Sequence, residues 1–82
     1  MAQKITETLL KRNAKDMRVN LAERLYQIRQ ESELSQARLA ELAGVDRKTI
    51  NRIENGHFSP ALDTIVRLCV ALGVKPADLL RP

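Results

Sequence analysis

Eighty-two residues with a formal net charge of +4 make one small domain. Apolar residues are 44% of the chain, charged residues 29%, and the aromatic rings are Tyr26 and Phe58 alone. That excludes single-strand binding on stacked rings or an RNA-recognition sheet. The single cysteine excludes an internal disulfide, and no apolar run reaches the ~18–20 residues of a membrane span. A reducing cytoplasm is the expected compartment, with nucleoid association, and no membrane partner.

Charge is uneven along the chain. Residues 1–18 carry five basic groups against two acidic ones, and residues 19–82 carry nine against eight. The chain therefore divides into a basic N-terminal extension, 1–18, and a nearly neutral domain, 19–82. In the extension Ile5, Leu9, Leu10, Ala14 and Met17 recur at helical spacing without Pro or Gly. Two readings stay open for it: an added helix running into the next one, or an arm. So do three roles: contact with DNA, with a partner subunit, or with another protein.

Leu21, Leu25 and Ile28 define the buried stripe of a helix at roughly 20–31, with Asn20 as its expected N-cap. Ser32-Glu33-Leu34 connects it onward, Leu34 reaching back to the core. Ser35 caps a second helix at about 36–43, whose Leu39, Ala40 and Ala43 face inward. Gly44 ends it in the left-handed region, and Val45 plugs the core inside the turn. Asp46 is the expected cap of a third helix, about 47–55, anchored by Ile50 and Ile53 and closed by Asn55-Gly56. A fourth, about 62–72, shows Leu62, Ile65, Leu68, Cys69 and Leu72 as its stripe and stops at Gly73. Pro76 opens a short fifth helix, about 76–80, closed by Leu79 and Leu80.

Residues 35–56 carry the chemistry. Two short helices meet at a tight Gly turn. The second presents Arg47, Lys48, Asn51 and Arg52 opposite Ile50 and Ile53. That is the layout of a helix-turn-helix placing one helix in the major groove. Arg and Lys suit this work because they donate to guanine O6 and N7. The same three cations also fit an ordinary solvated helix face; the surrounding motif decides between them. His57 has no Cys, His or carboxylate companions at ligand spacing, so no metal or catalytic role is expected. Cys69 reads as a small core residue. Glu31, Glu33 and Glu41 read as solvated charges turned away from phosphate.

From about Leu21 to Leu80 the chain resembles the lambda-repressor/Cro-type (XRE) helix-turn-helix family. The carriers are Leu34-Ser35-Gln36, Leu39-Ala40, Ala43-Gly44-Val45, Ile50, Ile53-Glu54-Asn55-Gly56, Pro60, Leu62, Ala71-Leu72-Gly73-Val74 and Leu79-Leu80. The resemblance implies an all-α, five-helix bundle that binds pseudo-palindromic double-stranded DNA as a homodimer. It implies base reading by Arg47, Lys48 and Arg52, with Asn51 beside them. Ser35, Gln36, Asn55 and His57 fall at or beside its phosphate clamps, Gln36 also serving as a buttress for a side chain of the third helix. It further implies a structural ion pair of Arg29 with Glu54. Three departures stand out. Ala61 replaces a Ser or Thr cap, leaving Ser59 as a substitute. Lys75 replaces the cap of the last helix. Val70 replaces an exposed Lys, which implies a covered surface, and residues 5–17 are expected to pack over Val70 or over a partner subunit. Val74, Leu79 and Leu80 read either as core or as dimer contact.

The function expected is a repressor acting by occupancy, without catalysis, cofactor or small-molecule ligand. The runner-up is an antitoxin whose extension binds a toxin protein. A restriction-modification controller protein and a hydrolase or metalloenzyme rank below it.

Overall fold

The computed structural model describes residues 2–82. Among them the chain forms five helices and no strand: α1 (Glu7–Glu31), α2 (Gln36–Ala43), α3 (Arg47–Glu54), α4 (Leu62–Leu72) and α5 (Pro76–Leu80). The five-helix bundle is the expected one, and α1 is longer than the stripe of its core-facing half.

Thr6, not Asn20, begins α1. Its hydroxyl accepts from the Leu9 N–H at 3.2 Å, and Glu7 follows in the first turn, where a negative charge suits the helix dipole. With no Gly or Pro to stop it, the helix runs unbroken for 25 residues. Asn20 therefore lies mid-helix. Its side-chain amide instead donates to the Leu80 carbonyl at 3.2 Å and to the Arg81 carbonyl, tying the end of α5 to α1.

The end of α1 is a Schellman turn without a glycine. The Leu34 N–H donates to Arg29 O at 3.2 Å and the Glu33 N–H to Gln30 O at 3.0 Å, while Glu33 sits at φ 57°. Half-buried Leu34 packs on the core across this turn, which offsets the steric cost of a non-glycine residue there. Gly44 makes the same turn after α2: the Val45 N–H donates to Ala40 O at 3.0 Å, and Val45 packs on the core.

Capping is uneven. Ser35 Oγ accepts from the Arg38 N–H at 3.0 Å, as expected. Asp46 makes no side-chain cap; its backbone is extended and its carbonyl accepts from the Thr49 and Ile50 N–H groups. No side chain caps α4, neither Ala61 nor Ser59. At α5 the Asp78 carboxylate accepts from the Lys75 N–H at 3.0 Å, so the missing cap is supplied from inside the helix.

Leu25, Leu39, Ile50, Ile53, Leu68 and Leu79 are fully buried. The C-terminal half of α1 packs on α3 and α5, and α2 packs on α3 and α4. Cys69 is buried, and that burial pushes its thiol pKa up. Two expectations fail on α4. Leu62 is 74% exposed and Val70 is 77% exposed, so Leu62 is not core and residues 5–17 do not cover Val70 within the chain. Of the C-terminal trio, Leu79 is core, and Val74 and Leu80 pack partly against it.

Gly44 is at φ +69°, and a Cβ added there would lie 3.0 Å from Arg67 Nη1, which donates to Ala43 O at 3.4 Å. Gly44→Ala is expected to destabilise by about 1–2 kcal/mol from backbone strain, with the loss of the Arg67 bond added. Gly73, at the same φ, meets nothing within 4 Å. Urea titrations of Gly44→Ala and Gly73→Ala should therefore rank Gly44 as the worse site.

Candidate nucleic-acid interface

The outer face of α3 is made by burying its opposite side. Ile50 and Ile53 hold α3 in the core at zero exposure. Helical spacing then puts Lys48, Asn51, Arg52 and Asn55 on the outer face, with Arg47 at its edge. Arg47, Lys48 and Arg52 are exposed, and Asn51 is half-buried. Asn55 Nδ2 donates to Asn51 Oδ1 at 3.1 Å, so one amide orients the other.

Beneath this face lies the Arg29–Glu54 pair. Arg29 Nε and Nη2 grip the two carboxylate oxygens at 2.8 and 2.9 Å, both side chains nearly buried. Arg29 Nη1 donates to Leu34 O at 2.8 Å, and Gln36 Nε2 donates to Glu54 Oε1 at 3.0 Å. The hydrogen bond to Glu54 pushes the Arg29 pKa up, with burial opposing it. One carboxylate therefore joins the end of α1, the start of α2 and the end of α3. A bidentate charge-assisted pair fixes angle as well as distance. Gln36, expected at phosphate or as a buttress, has its amide on the last residue of α3.

Ser35 lies exposed at the start of α2 and serves as its cap. Gly56 is buried against Val19 and Ala22 of α1 and brings the 55–58 loop onto that helix. Arg52, Asn55, His57 and Phe58 line one open depression of 320 Å³. Three of the expected DNA-contacting residues, Arg52, Asn55 and His57, are thus brought together, while Ser35 and Gln36 flank α3 from α2. Glu31, Glu33 and Glu41 are exposed. Glu41 is paired with Arg38 on α2.

Sequence reasoning missed Tyr26. Its ring centroid lies 5.4 Å from the Arg29 guanidinium carbon, and its hydroxyl accepts from Gln30 Nε2 at 2.8 Å. The i, i+3 spacing of Tyr26 and Arg29 was the available signal.

The model of the family described as Helix-turn-helix, HTH_3, matches residues 25–79. The chain is 40% identical over 58 residues to an uncharacterized HTH-type transcriptional regulator of Haemophilus influenzae, a match covering 71% of this chain and 59% of that protein. The match spans less than two thirds of that relative's length. It is 38% identical over 66 residues to the control protein C.BamHI of Bacillus amyloliquefaciens, covering 79% of this chain and 82% of that one. In structure it is similar to the restriction-modification controller protein C.AhdI from Aeromonas hydrophila. The TM-score is 0.73 at 35% identity, over 76% of this chain and 94% of the other.

Proposed function

This chain belongs to the helix-turn-helix family HTH_3, and on that premise we propose that it is a sequence-specific double-stranded DNA-binding transcriptional regulator. In this reading it represses by occupancy, as a homodimer on a pseudo-palindromic operator. The observation that carries the reading is α3: one face locked in the core by Ile50 and Ile53, the other presenting Arg47, Lys48 and Arg52 to solvent. Arg47, Lys48, Asn51 and Arg52 read base edges. Ser35, Gln36, Asn55 and His57 hold phosphate, Ser35 and Gln36 from the start of α2, where the helix dipole favours an anion.

Selection from a random duplex pool, followed by affinity against salt, tests it. The expected winner is a pseudo-palindrome with half-sites about one helical turn apart. With about 6–10 phosphate contacts its affinity falls about 10³–10⁵-fold between 50 and 200 mM salt. A pool that yields no enriched sequence defeats the reading.

One helix reads too few bases for a useful site, so two copies are required. The α4 stripe supports a place for them. Leu62, Val66 and Val70 follow at i, i+4, i+8 and are all exposed. In an antiparallel two-fold pairing centred on Val66, Leu62 of one copy meets Val70 of the other, and Asp63 comes within reach of Arg67. Val66→Asp should then sediment as a monomer with unchanged helix content and reduced operator affinity. A dimer that survives Val66→Asp places the interface elsewhere.

A second reading, a restriction-modification controller, is favoured by one observation: C.BamHI and C.AhdI are matched over most of their own lengths. An operator recovered upstream of restriction and modification genes distinguishes it from a general repressor.

A further inference from the structure

We propose that the first half of α1, with the groove at its foot, docks an acidic segment of a protein partner anchored by a large apolar side chain. The proposal is independent of how α3 is used. Its starting point is an overhang. The α1 helix is about 37 Å long at 1.5 Å per residue, in a molecule measuring 41 × 23 × 20 Å, and only its second half lies over the core. The first half continues the core-facing side past the end of the bundle. Leu10 is 52% exposed and Met17 58% exposed, with half-buried Ala14 between them at i+4 and i+7. A helix usually owes most of its stability to a packed apolar face, and here, among the described residues, that face stays largely open, with only residues 3–5 beside Leu10.

At its foot is a groove of 230 Å³. Ala14, Met17, Arg18 and Leu21 form one wall, and Pro60, Ile65 and Leu80 are among the residues opposite. Its lining is mostly apolar, and it is smaller than the ~300 Å³ at which small-molecule pockets begin. It suits one inserted side chain better than a free ligand. On its edge Arg18 Nε is buried with no hydrogen-bond partner. Leaving a charged donor unsatisfied is costly, and a carboxylate that draws the guanidinium out to the groove edge would relieve it. Lys11 and Lys15 lie along the same edge of the helix, exposed.

This charge pattern selects the occupant. A second copy paired antiparallel can set Leu10 against Met17, but it gathers Lys11, Lys15 and Arg18 of both copies along one edge with only the two Glu7 carboxylates among them. DNA phosphates would accept the cations and leave Leu10 and Met17 without an apolar partner. A protein segment with carboxylates flanking an apolar side chain satisfies both sets.

The test uses a labelled synthetic helical peptide with Leu at heptad positions a and d and Glu at e and g, and its Gln twin, titrated into the full chain by fluorescence anisotropy. The Glu peptide should bind, and the Gln twin should bind at least about tenfold more weakly. Leu10→Ser, Met17→Ser and Arg18→Gln should each weaken the Glu peptide about tenfold while leaving helix content and duplex affinity unchanged. Leu10 and Met17 are exposed, so their variants keep the test valid even if Arg18→Gln folds poorly. Absence of Glu-peptide binding, or equal binding of the twins, overturns the proposal. So does a drop in duplex affinity and salt slope in Arg18→Gln, which assigns the extension to DNA. A changed sedimentation coefficient in Leu10→Ser, which assigns the face to a second copy, also overturns it.

Discussion

Arg29→Ala should remove about 3–5 kcal/mol of stability, because it strands Glu54 as a nearly buried, unpaired charge. At ~0.05–0.15 kcal/mol per residue, a chain of this size has about 4–12 kcal/mol in all. A single substitution beneath the outer face of α3 would therefore bring it close to unfolding. Two further groups lose their partner at once, the Leu34 carbonyl and the Tyr26 ring, and the Glu54 carboxylate keeps only its bond from Gln36. The double change Arg29→Met with Glu54→Leu should recover a large part of the loss. It leaves no buried charge, only an unpaired carbonyl and the Gln36 amide. Urea unfolding with linear extrapolation measures both, and an unchanged slope would show that the folded state is still compact. Arg38→Ala is the control. It breaks the exposed pair with Glu41 and should cost at most ~1 kcal/mol. The sign with pH follows from the raised Arg29 pKa. Its contribution is complete across neutral pH and is lost as pH rises above the ordinary guanidinium range. A stability profile flat from pH 6 to 9 for the wild type minus the double variant would agree.

That ion pair was legible in the sequence only through the family pattern, because nothing in the spacing of Arg29 and Glu54 brings α1 to α3. Other features were legible on local grounds. Gly44 stopped α2 where a positive φ was needed, and Ser35 capped it, since both effects act within four residues. The misplaced features are those decided at long range. Asn20 looked like a cap because the segment before it was ambiguous; its real partners are sixty residues away at Leu80 and Arg81. Leu62 looked like core because α4 is apolar over more than half its circumference. What is buried there is set by where α2 lies and by the core around Leu79, and the 62–66–70 edge falls outside both. Asp46 has the right side chain to cap α3, and the backbone carbonyl alone makes the turn. The candidate site follows the same division. Lys48, Asn51, Arg52 and Asn55 share a face by periodicity, whereas the meeting of Gln36, Arg29 and Glu54 under that face is a tertiary fact.

Arg52→Ala should relax specificity at one base pair of each half-site instead of weakening all DNA alike. Its side chain is exposed, one turn along α3 from Lys48, in reach of the groove edge if α3 lies there. A bidentate Arg–guanine contact discriminates by about 1–3 kcal/mol, and a homodimer carries the substitution twice, giving about 2–6 kcal/mol at a symmetric operator. The competing geometry is real. Arg52 also lines the depression shared with Asn55 and His57, where a phosphate would satisfy all three. The two roles separate in one experiment. Binding is titrated against the selected operator, each single-base variant of it, and an unrelated duplex, at two salt concentrations. Base reading predicts that Arg52→Ala loses most affinity for the operator, little for the unrelated duplex, and no longer distinguishes variants at one position. Phosphate contact predicts an equal loss on every duplex and a salt slope smaller by about one unit for each copy. Gln36→Ala is the reference for an equal loss on every duplex, since its amide sits on Glu54 behind the outer face of α3 and no base edge is in its path; being neutral, it should leave the salt slope unchanged. If Arg52→Ala follows the Gln36 pattern, the reading of bases passes to Arg47 and Lys48, and α3 approaches the groove by its first turn alone.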